Sequence, residues 1–94
     1  MEGSHEVYVG KKEISRYISS CFFALDKFGK VKIISRGSHV KKSLDILAIL
    51  IRGYLNDPKY DIIVKSEPFE DRFVTALEIN LTGTKKEEEV IGKN

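Results

Sequence analysis

The sequence predicts an α/β fold with the element order βαβαββ. Two stretches with apolar residues at helical spacing each follow a short β-like run, and two alternating runs separated by a turn come after them. The 94 residues, 41% of them hydrophobic and 32% charged, suffice for one globular domain with a modest core. No apolar run has the length of a membrane span and no secretory signal precedes the first strand, so we expect an intracellular protein.

The first strand is predicted over residues 6–9 and the first helix over residues 13–28. Gly10 ends the strand, and Gly29 follows the helix at a position where glycine commonly stops one. One face of this helix is apolar at spacings of three and four, at Ile14, Tyr17, Ile18, Cys21, Phe22, Leu25 and Phe28. Because Cys21 is the only cysteine and lies on that face, we interpret it as a core residue rather than a reactive thiol.

The second strand is predicted over residues 30–35 and the second helix over residues 38–55, with Ser38 as its N-cap and residues 56–58 as its stop. The two strands should be parallel neighbours, since a helix connects them. We assign the core stripe of the second helix to Val40, Leu44, Leu47, Ala48, Ile51 and Leu55. Further apolar positions, Ile46, Ile49, Leu50 and Gly53, predict a second subunit that covers them. The alternative is a scatter of exposed aliphatic side chains.

The last two strands are predicted over residues 60–66 and 73–82, as an antiparallel hairpin with residues 67–71 as its turn. Residues 6–82 then form the single domain. We expect residues 1–5 to be frayed and residues 83–94, rich in charges of both signs, to be a mobile tail.

Positive charge is concentrated in the first half of the chain. Residues 1–42 hold nine Lys and Arg against four acids, a charge of +5, whereas the remainder holds seven against ten, a charge of −3. Both helix N-termini follow parallel strands and should emerge at one edge of the sheet, which is where such sheets commonly bind ligands. This edge gathers the candidate anion-binding residues Lys11, Lys12, Arg16, Arg36, Gly37, Ser38, Lys41 and Lys42.

The sequence offers no constellation typical of an enzyme. Cys21, His5 and His39 lack metal-ligand spacing, and the glycines do not fall in a phosphate-loop motif. His39 is either a hydrogen-bond donor to a phosphate or an ordinary surface residue. We therefore expect a binding protein without cofactor, metal, membrane or small-molecule substrate, whose basic groups contact nucleic-acid phosphates.

With these elements in place, the sequence resembles the Alba family of archaeal chromatin and RNA-binding proteins over residues 5–82. The resemblance rests on element order and on VYVGKK at residues 7–12, Tyr17 in the first helix, and SRGSHVKKSLD at residues 35–45. It implies an α+β two-layer domain, with two helices on one face of a mixed four-stranded sheet. It also implies a cytoplasmic, nucleoid-associated homodimer that binds double-stranded DNA and RNA largely without sequence preference.

The resemblance also assigns roles to individual residues. Lys11 and Lys12 match the family's paired nucleic-acid-binding lysines, one of which can be acetylated in some members. Arg36 and Gly37 match its RG turn, and Lys42 matches a basic residue of its second helix. Tyr54 matches an aromatic that helps dimers associate side by side. The predicted subunit interface is then Ile46, Ile49, Leu50, Gly53 and Tyr54.

Several positions depart from the family pattern. Glu13 replaces a usual proline, Ser38 replaces a common second arginine, and Arg16 adds a charge where the family is usually neutral. The predicted hairpin tip is short and acidic, with Glu67, Glu70 and Asp71, whereas the family often has a long arm that reaches along the minor groove. We therefore expect weaker DNA binding than in a typical member. The alternative function is an RNA-directed assembly subunit of a ribonucleoprotein complex.

Overall fold

The computed structural model describes residues 5–86 and has the predicted order of elements. Its helices and strands are β1 (Glu6–Tyr8), α1 (Ile14–Phe28), β2 (Lys30–Arg36), α2 (Val40–Ile49), β3 (Leu55–Phe69) and β4 (Arg72–Lys85). A 3₁₀ turn (Gly37–His39) precedes α2 and a π-helical turn (Leu50–Tyr54) follows it. Within residues 5–86, no helix combines the length and the apolar character that crossing a membrane would need.

The four strands form one mixed sheet in the order β1-β2-β4-β3. β1 pairs parallel to β2, as the intervening helix predicts, and the other two pairings are antiparallel. Alternate residues of β2 and β4 form the floor of the core, where Val31 and Ile33 lie opposite Leu81 and Ile79. Both helices pack their apolar residues into this one cluster, so the two-layer α+β architecture is confirmed.

α1 begins one residue later than predicted and ends where predicted. Gly29 adopts a left-handed conformation (φ 77°) and its N–H donates to the carbonyl of Leu25 at 2.8 Å, which satisfies a carbonyl at the helix end. Tyr17, Cys21 and Leu25 are buried on the predicted face. The spacing of apolar residues therefore located both the helix and its inner side.

The core stripe assigned to α2 was wrong by about one residue of rotation. The buried residues are Ser43, Ile46, Leu47 and Leu50, whereas Leu44 is 39% exposed. Ser43 enters the core because its hydroxyl and that of Ser35 on β2 form a buried hydrogen bond of 2.8 Å, and Ser43 also donates to the Val40 carbonyl. Since these bonds satisfy both hydroxyls, the helix turns a polar side chain inward.

The helical segment, from Gly37 through the π-helical turn to Tyr54, agrees with the predicted range within one residue at each end, but the cap and the stop that the sequence suggested were wrong. No side-chain cap forms at its start, because Ser38 lies within the 3₁₀ turn rather than at the first residue before α2. Residues 56–58 do not stop the helix. They belong to β3, where the pairing with β4 is irregular between Asn56 and Lys59 and Asp57 has a φ of 50°.

The hairpin is longer than predicted, and the short tip was a wrong prediction. Only Glu70 and Asp71 form the turn, with Phe69 paired to Arg72. Pro68 is accommodated because β3 is an edge strand. The pairing of β2 with β4 ends at Arg36 and Ala76, so residues 66–75 project as an arm of about 17 Å.

The ends of the domain lie near the limits of the described residues. β4 continues through Gly83 to Lys85, three residues beyond the predicted strand. The predicted frayed start, except for residue 5, and the predicted tail beyond residue 86 lie outside the described residues.

Candidate nucleic-acid interface

The loop that carries Lys11 and Lys12 is held by two side chains from the helices. The hydroxyl oxygen of Tyr17 accepts hydrogen bonds from the backbone N–H groups of Gly10 (2.8 Å) and Lys12 (3.0 Å). From α2, the ammonium of Lys42 donates to the carbonyls of the same two residues, at 2.8 and 2.9 Å. The Lys42 Nζ atom also lies 5.8 Å from the centre of the Tyr17 ring. We call this arrangement the Tyr17–Lys42 clasp.

The clasp gives Lys42 a role that the sequence did not predict. Two of the three donors of its ammonium are engaged with backbone carbonyls, and the side chain is half-buried. Lys42 is therefore a positioning residue for the loop, whatever contact its remaining donor makes. These contacts order the loop, because the backbone N–H and carbonyl groups of both Gly10 and Lys12 have hydrogen-bond partners.

Lys11, Lys12 and Arg16 provide exposed positive charge beside the clasp. Within residues 5–86, none of the three side chains forms an ion pair. Lys12 and Arg16 line a shallow pocket of about 310 Å³ together with Tyr8 and the acidic side chain of Glu6, which leaves the pocket with one more positive than negative charge. Among the described residues, these three cations therefore have no ion pair to give up when they meet an external anion.

The predicted cations at the second turn are paired. Arg36 donates from Nε to Oε1 of Glu67 on the arm at 3.1 Å. Lys41 pairs with Asp45 one helical turn later at 3.2 Å, and both groups are exposed. Such exposed pairs contribute only about 0.2–1 kcal/mol, so phosphates can compete for both cations. Gly37 has a φ of 59°, a conformation that glycine adopts without strain, and this allows the sharp turn after β2.

A groove of about 450 Å³ lies between this turn and the arm. Its wall includes Arg36, Gly37, Ser38 and His39, and it adds residues that the sequence analysis did not select: Tyr8, Ile34, Phe69, Arg72 and Val74. The alternation of β1 places Tyr8 outward, between buried Val7 and Val9. A strand of three residues is too short for its alternation of apolar and exposed side chains to be recognised in the sequence, so Tyr8 was not selected.

A compact charge network on the open face of the sheet limits the basic surface. Glu78 pairs with Lys65 at 3.0 Å and with Lys32 at 3.2 Å. Hydrogen bonds from Lys65 and then Lys32 hold the pKa of the Glu78 carboxyl below its ordinary value. Since Glu78 remains ionised, it balances one of the two lysine charges on this face of the sheet.

The predicted subunit interface needs correction. Ile46 and Leu50 are fully buried in the core of this chain, so they have no surface with which to contact a second subunit. Ile49, Gly53 and Tyr54 are exposed. Beside them, β3 exposes side chains on the helix side of the sheet, and we call this the apolar strip: Tyr60, Ile62 and Val64.

Comparison with protein families decides the identity of the domain. The sequence model of the family described as Alba matches residues 5–67, which include the loop of the clasp, the turn after β2, all of α2 and most of β3. The chain belongs to the Alba family.

Solved structures with an Alba fold agree with this assignment. Alba from Thermoplasma volcanium is 23% identical, with a TM-score of 0.67, over 82% of this chain and 98% of that chain. ALBA1 from Trypanosoma brucei is 15% identical, with a TM-score of 0.76, over 89% of this chain and 73% of that chain. At these identities the structures show a common fold. No curated protein sequence matches the chain significantly.

Membership of the Alba family indicates nucleic-acid binding as the general function. The resemblance found in the sequence is thus confirmed for family and fold. The roles given to the individual basic residues, the acetylation of Lys11 or Lys12, and the homodimer stay predictions.

Proposed function

We propose that this Alba domain binds the phosphate backbones of DNA and RNA without sequence preference. The observation that carries the proposal is the Tyr17–Lys42 clasp, which holds a loop with two lysines that form no ion pair within residues 5–86, beside Arg16. Ordered cations lose less conformational entropy when they bind than cations on a mobile loop do. Recognition of the phosphate backbone needs cations and backbone donors but no base-specific code, and this cluster supplies the cations.

The proposed binding unit is a homodimer. Ile49, Gly53 and Tyr54 and the adjoining apolar strip supply an apolar surface that water would otherwise contact. A two-fold axis through this surface would bring two copies of the basic end of the sheet onto one nucleic acid. Tyr54, which packs edge-on against Phe22 with ring centres 5.2 Å apart, is a candidate for contacts between dimers. We place such a protein in the cytoplasm on the nucleoid, as a non-enzymatic chromatin-type protein.

Salt dependence tests the binding mode. If about five phosphates are neutralised per protomer, the logarithm of the binding constant should fall against the logarithm of salt concentration with a slope of about −4 to −5 for duplex DNA. Changing both Lys11 and Lys12 to Ala should weaken binding equally on unrelated sequences and reduce the slope by about 2. Absence of binding to either DNA or RNA at low salt would overturn the proposal.

A second candidate function uses the same apolar surface. The apolar strip would equally fit a different protein, which would make this chain an RNA-directed subunit of a ribonucleoprotein complex. Sedimentation of the purified chain separates the two: a stable homodimer supports the first function, and a monomer that pairs only with a heterologous subunit supports the second.

A further inference from the structure

The groove between the turn after β2 and the arm joins aromatic surface to positive charge. Tyr8 is 65% exposed and Phe69 is 43% exposed, and both line the cavity of about 450 Å³. Arg36, His39 and Arg72 also line it. An apolar cavity with aromatic surface and a cationic rim matches the two parts of a nucleotide, a flat base and a phosphate.

The strand register explains why these side chains share one face. Tyr8 pairs with Ile34 between β1 and β2, and Phe69 pairs with Arg72 in the arm. Their neighbours along the strands, Val7 and Ile33, point into the core beneath the helices. Side chains alternate between the faces of a sheet, so the groove residues of the strands lie on the face opposite the helices.

We propose, on the basis of the function proposed above, that this groove binds an unpaired base of a nucleic-acid strand by stacking on Tyr8. The faces of paired bases are covered by their neighbours in a duplex, whereas an unpaired base can lie flat on an aromatic ring. The hydroxyl of Tyr8 donates to Oε1 of Glu6 at 2.8 Å, a contact that helps to hold the ring in place.

Positively charged side chains lie on both sides of Tyr8, where the phosphates of a bound nucleic-acid strand would follow one another. Tyr8 lines not only the groove but also the pocket of about 310 Å³ that contains Lys12 and Arg16. The phosphate on one side of the stacked base would therefore meet Lys12 and Arg16. The phosphate on the other side would meet Arg36 and Arg72.

The ion pair of Arg36 is compatible with this path. Its bond to Glu67 uses only Nε, and no other hydrogen bond of this guanidinium occurs within residues 5–86. Arg72 forms no ion pair among the same residues. Donors of both arginines therefore remain available to a phosphate.

The test compares a blunt RNA duplex with the same duplex that carries a single-stranded adenosine tail, using the full chain at matched salt. The tail should raise the affinity of the unchanged protein by about tenfold, and Tyr8→Ala should remove most of that gain, measured in each variant as the ratio of its affinities for the tailed and the blunt duplex. Tyr8→Phe should retain the gain, because stacking requires the ring and not the hydroxyl. Phe69→Ala should reduce it in part.

The matched control is Phe23→Ala. Phe23 is an exposed aromatic on α1 that lines neither pocket, so the effect of the tail should persist in this variant. Equal affinity of the unchanged protein for the two RNAs, or a gain that survives Tyr8→Ala, would overturn the inference but leave the proposed function standing, provided that the Lys11 and Lys12 double variant still weakens duplex binding. Failure of the unchanged protein to bind any RNA or DNA would overturn both.

Discussion

The Nε atom of Arg36 lies 3.1 Å from Oε1 of Glu67, and this ion pair joins the end of β2 to the projecting arm. Both side chains are partly exposed, at 58% and 35%. Glu67 therefore engages one donor of the Arg36 guanidinium that a phosphate could otherwise use. The acidic residues of the arm do more than reduce the net charge, because this one directly opposes an arginine of the candidate interface.

Glu67→Gln should strengthen binding to duplex DNA by about 1.4- to fivefold, because it removes a competitor for Arg36 that is worth roughly 0.2–1 kcal/mol. The affinity is measured by gel shift or fluorescence anisotropy at fixed salt.

Asp71→Asn is the matched control for this change. It removes the same charge from the same hairpin, but Asp71 has no ion pair within residues 5–86. If both variants gain equally, the effect is one of net charge and the pairing of Arg36 with Glu67 has no specific influence.

The clasp predicts that Lys42 contributes to stability and not only to charge. Lys42→Met keeps most of the apolar stem but removes the two hydrogen bonds to the carbonyls of Gly10 and Lys12. We expect the free energy of unfolding to fall by about 1–3 kcal/mol, measured by urea titration. Amide hydrogen exchange at residues 10–12 should accelerate as the loop loses its order.

Lys41→Met provides the comparison from the same helical turn. Within residues 5–86, the one ion pair of Lys41 is an exposed pair with Asp45, which is worth about 0.3–0.5 kcal/mol. Equal destabilisation by the two variants would show that the clasp contributes nothing beyond a surface charge.

These relationships show how far the sequence determines the site. The apolar spacing of α1, with Gly29 at its end, located that helix to within one residue. α2 is apolar nearly all round, so its pattern could not fix which face turns inward, and Ser43 was not among the residues assigned to the core. Its burial depends on a hydrogen bond to Ser35, eight residues away. Contacts of that kind are properties of the folded chain.

The basic cluster shows the same limit. The parallel order of the first two strands correctly brought the GKK loop to the start of α2, since Lys42 reaches Gly10 and Lys12. Which lysines stay free could not be predicted, because it depends on partners about 30 positions away along the chain. The arm was missed because the proline at position 68 suggested a turn, although an edge strand tolerates it.

The apolar strip predicts where a second copy binds. Val64 is 67% exposed on the helix side of β3, and Val64→Lys should convert the proposed dimer to a monomer, as measured by analytical ultracentrifugation. A buried, unpaired ammonium at a subunit contact would cost far more than the lost apolar contact.

Ile63→Lys tests whether position matters. Ile63 precedes Val64 and is also exposed, but its side chain lies on the face of the sheet away from the helices. There it is paired across the strands with Glu78, so a lysine at this position would have an acidic neighbour. This variant should remain a dimer. Dissociation by both changes would point to general damage to β3, and dissociation by neither would remove the apolar strip as the interface.

Cys21 predicts a loss of stability in alkali. Burial raises the pKa of its thiol from 9.0 to about 12, because the thiolate would lie in the apolar core. Between these two values the folded state keeps a proton that the unfolded state releases, so stability is complete below pH 9 and falls as pH rises. The contribution of Cys21 to the free energy of unfolding should decrease by about 1.4 kcal/mol per pH unit over this interval. The informative quantity is the difference in unfolding free energy between the unchanged protein and Cys21→Ala, because contributions that the two proteins share cancel. That difference should shrink steadily above pH 9, and a constant difference would show that the thiol ionises equally in both states.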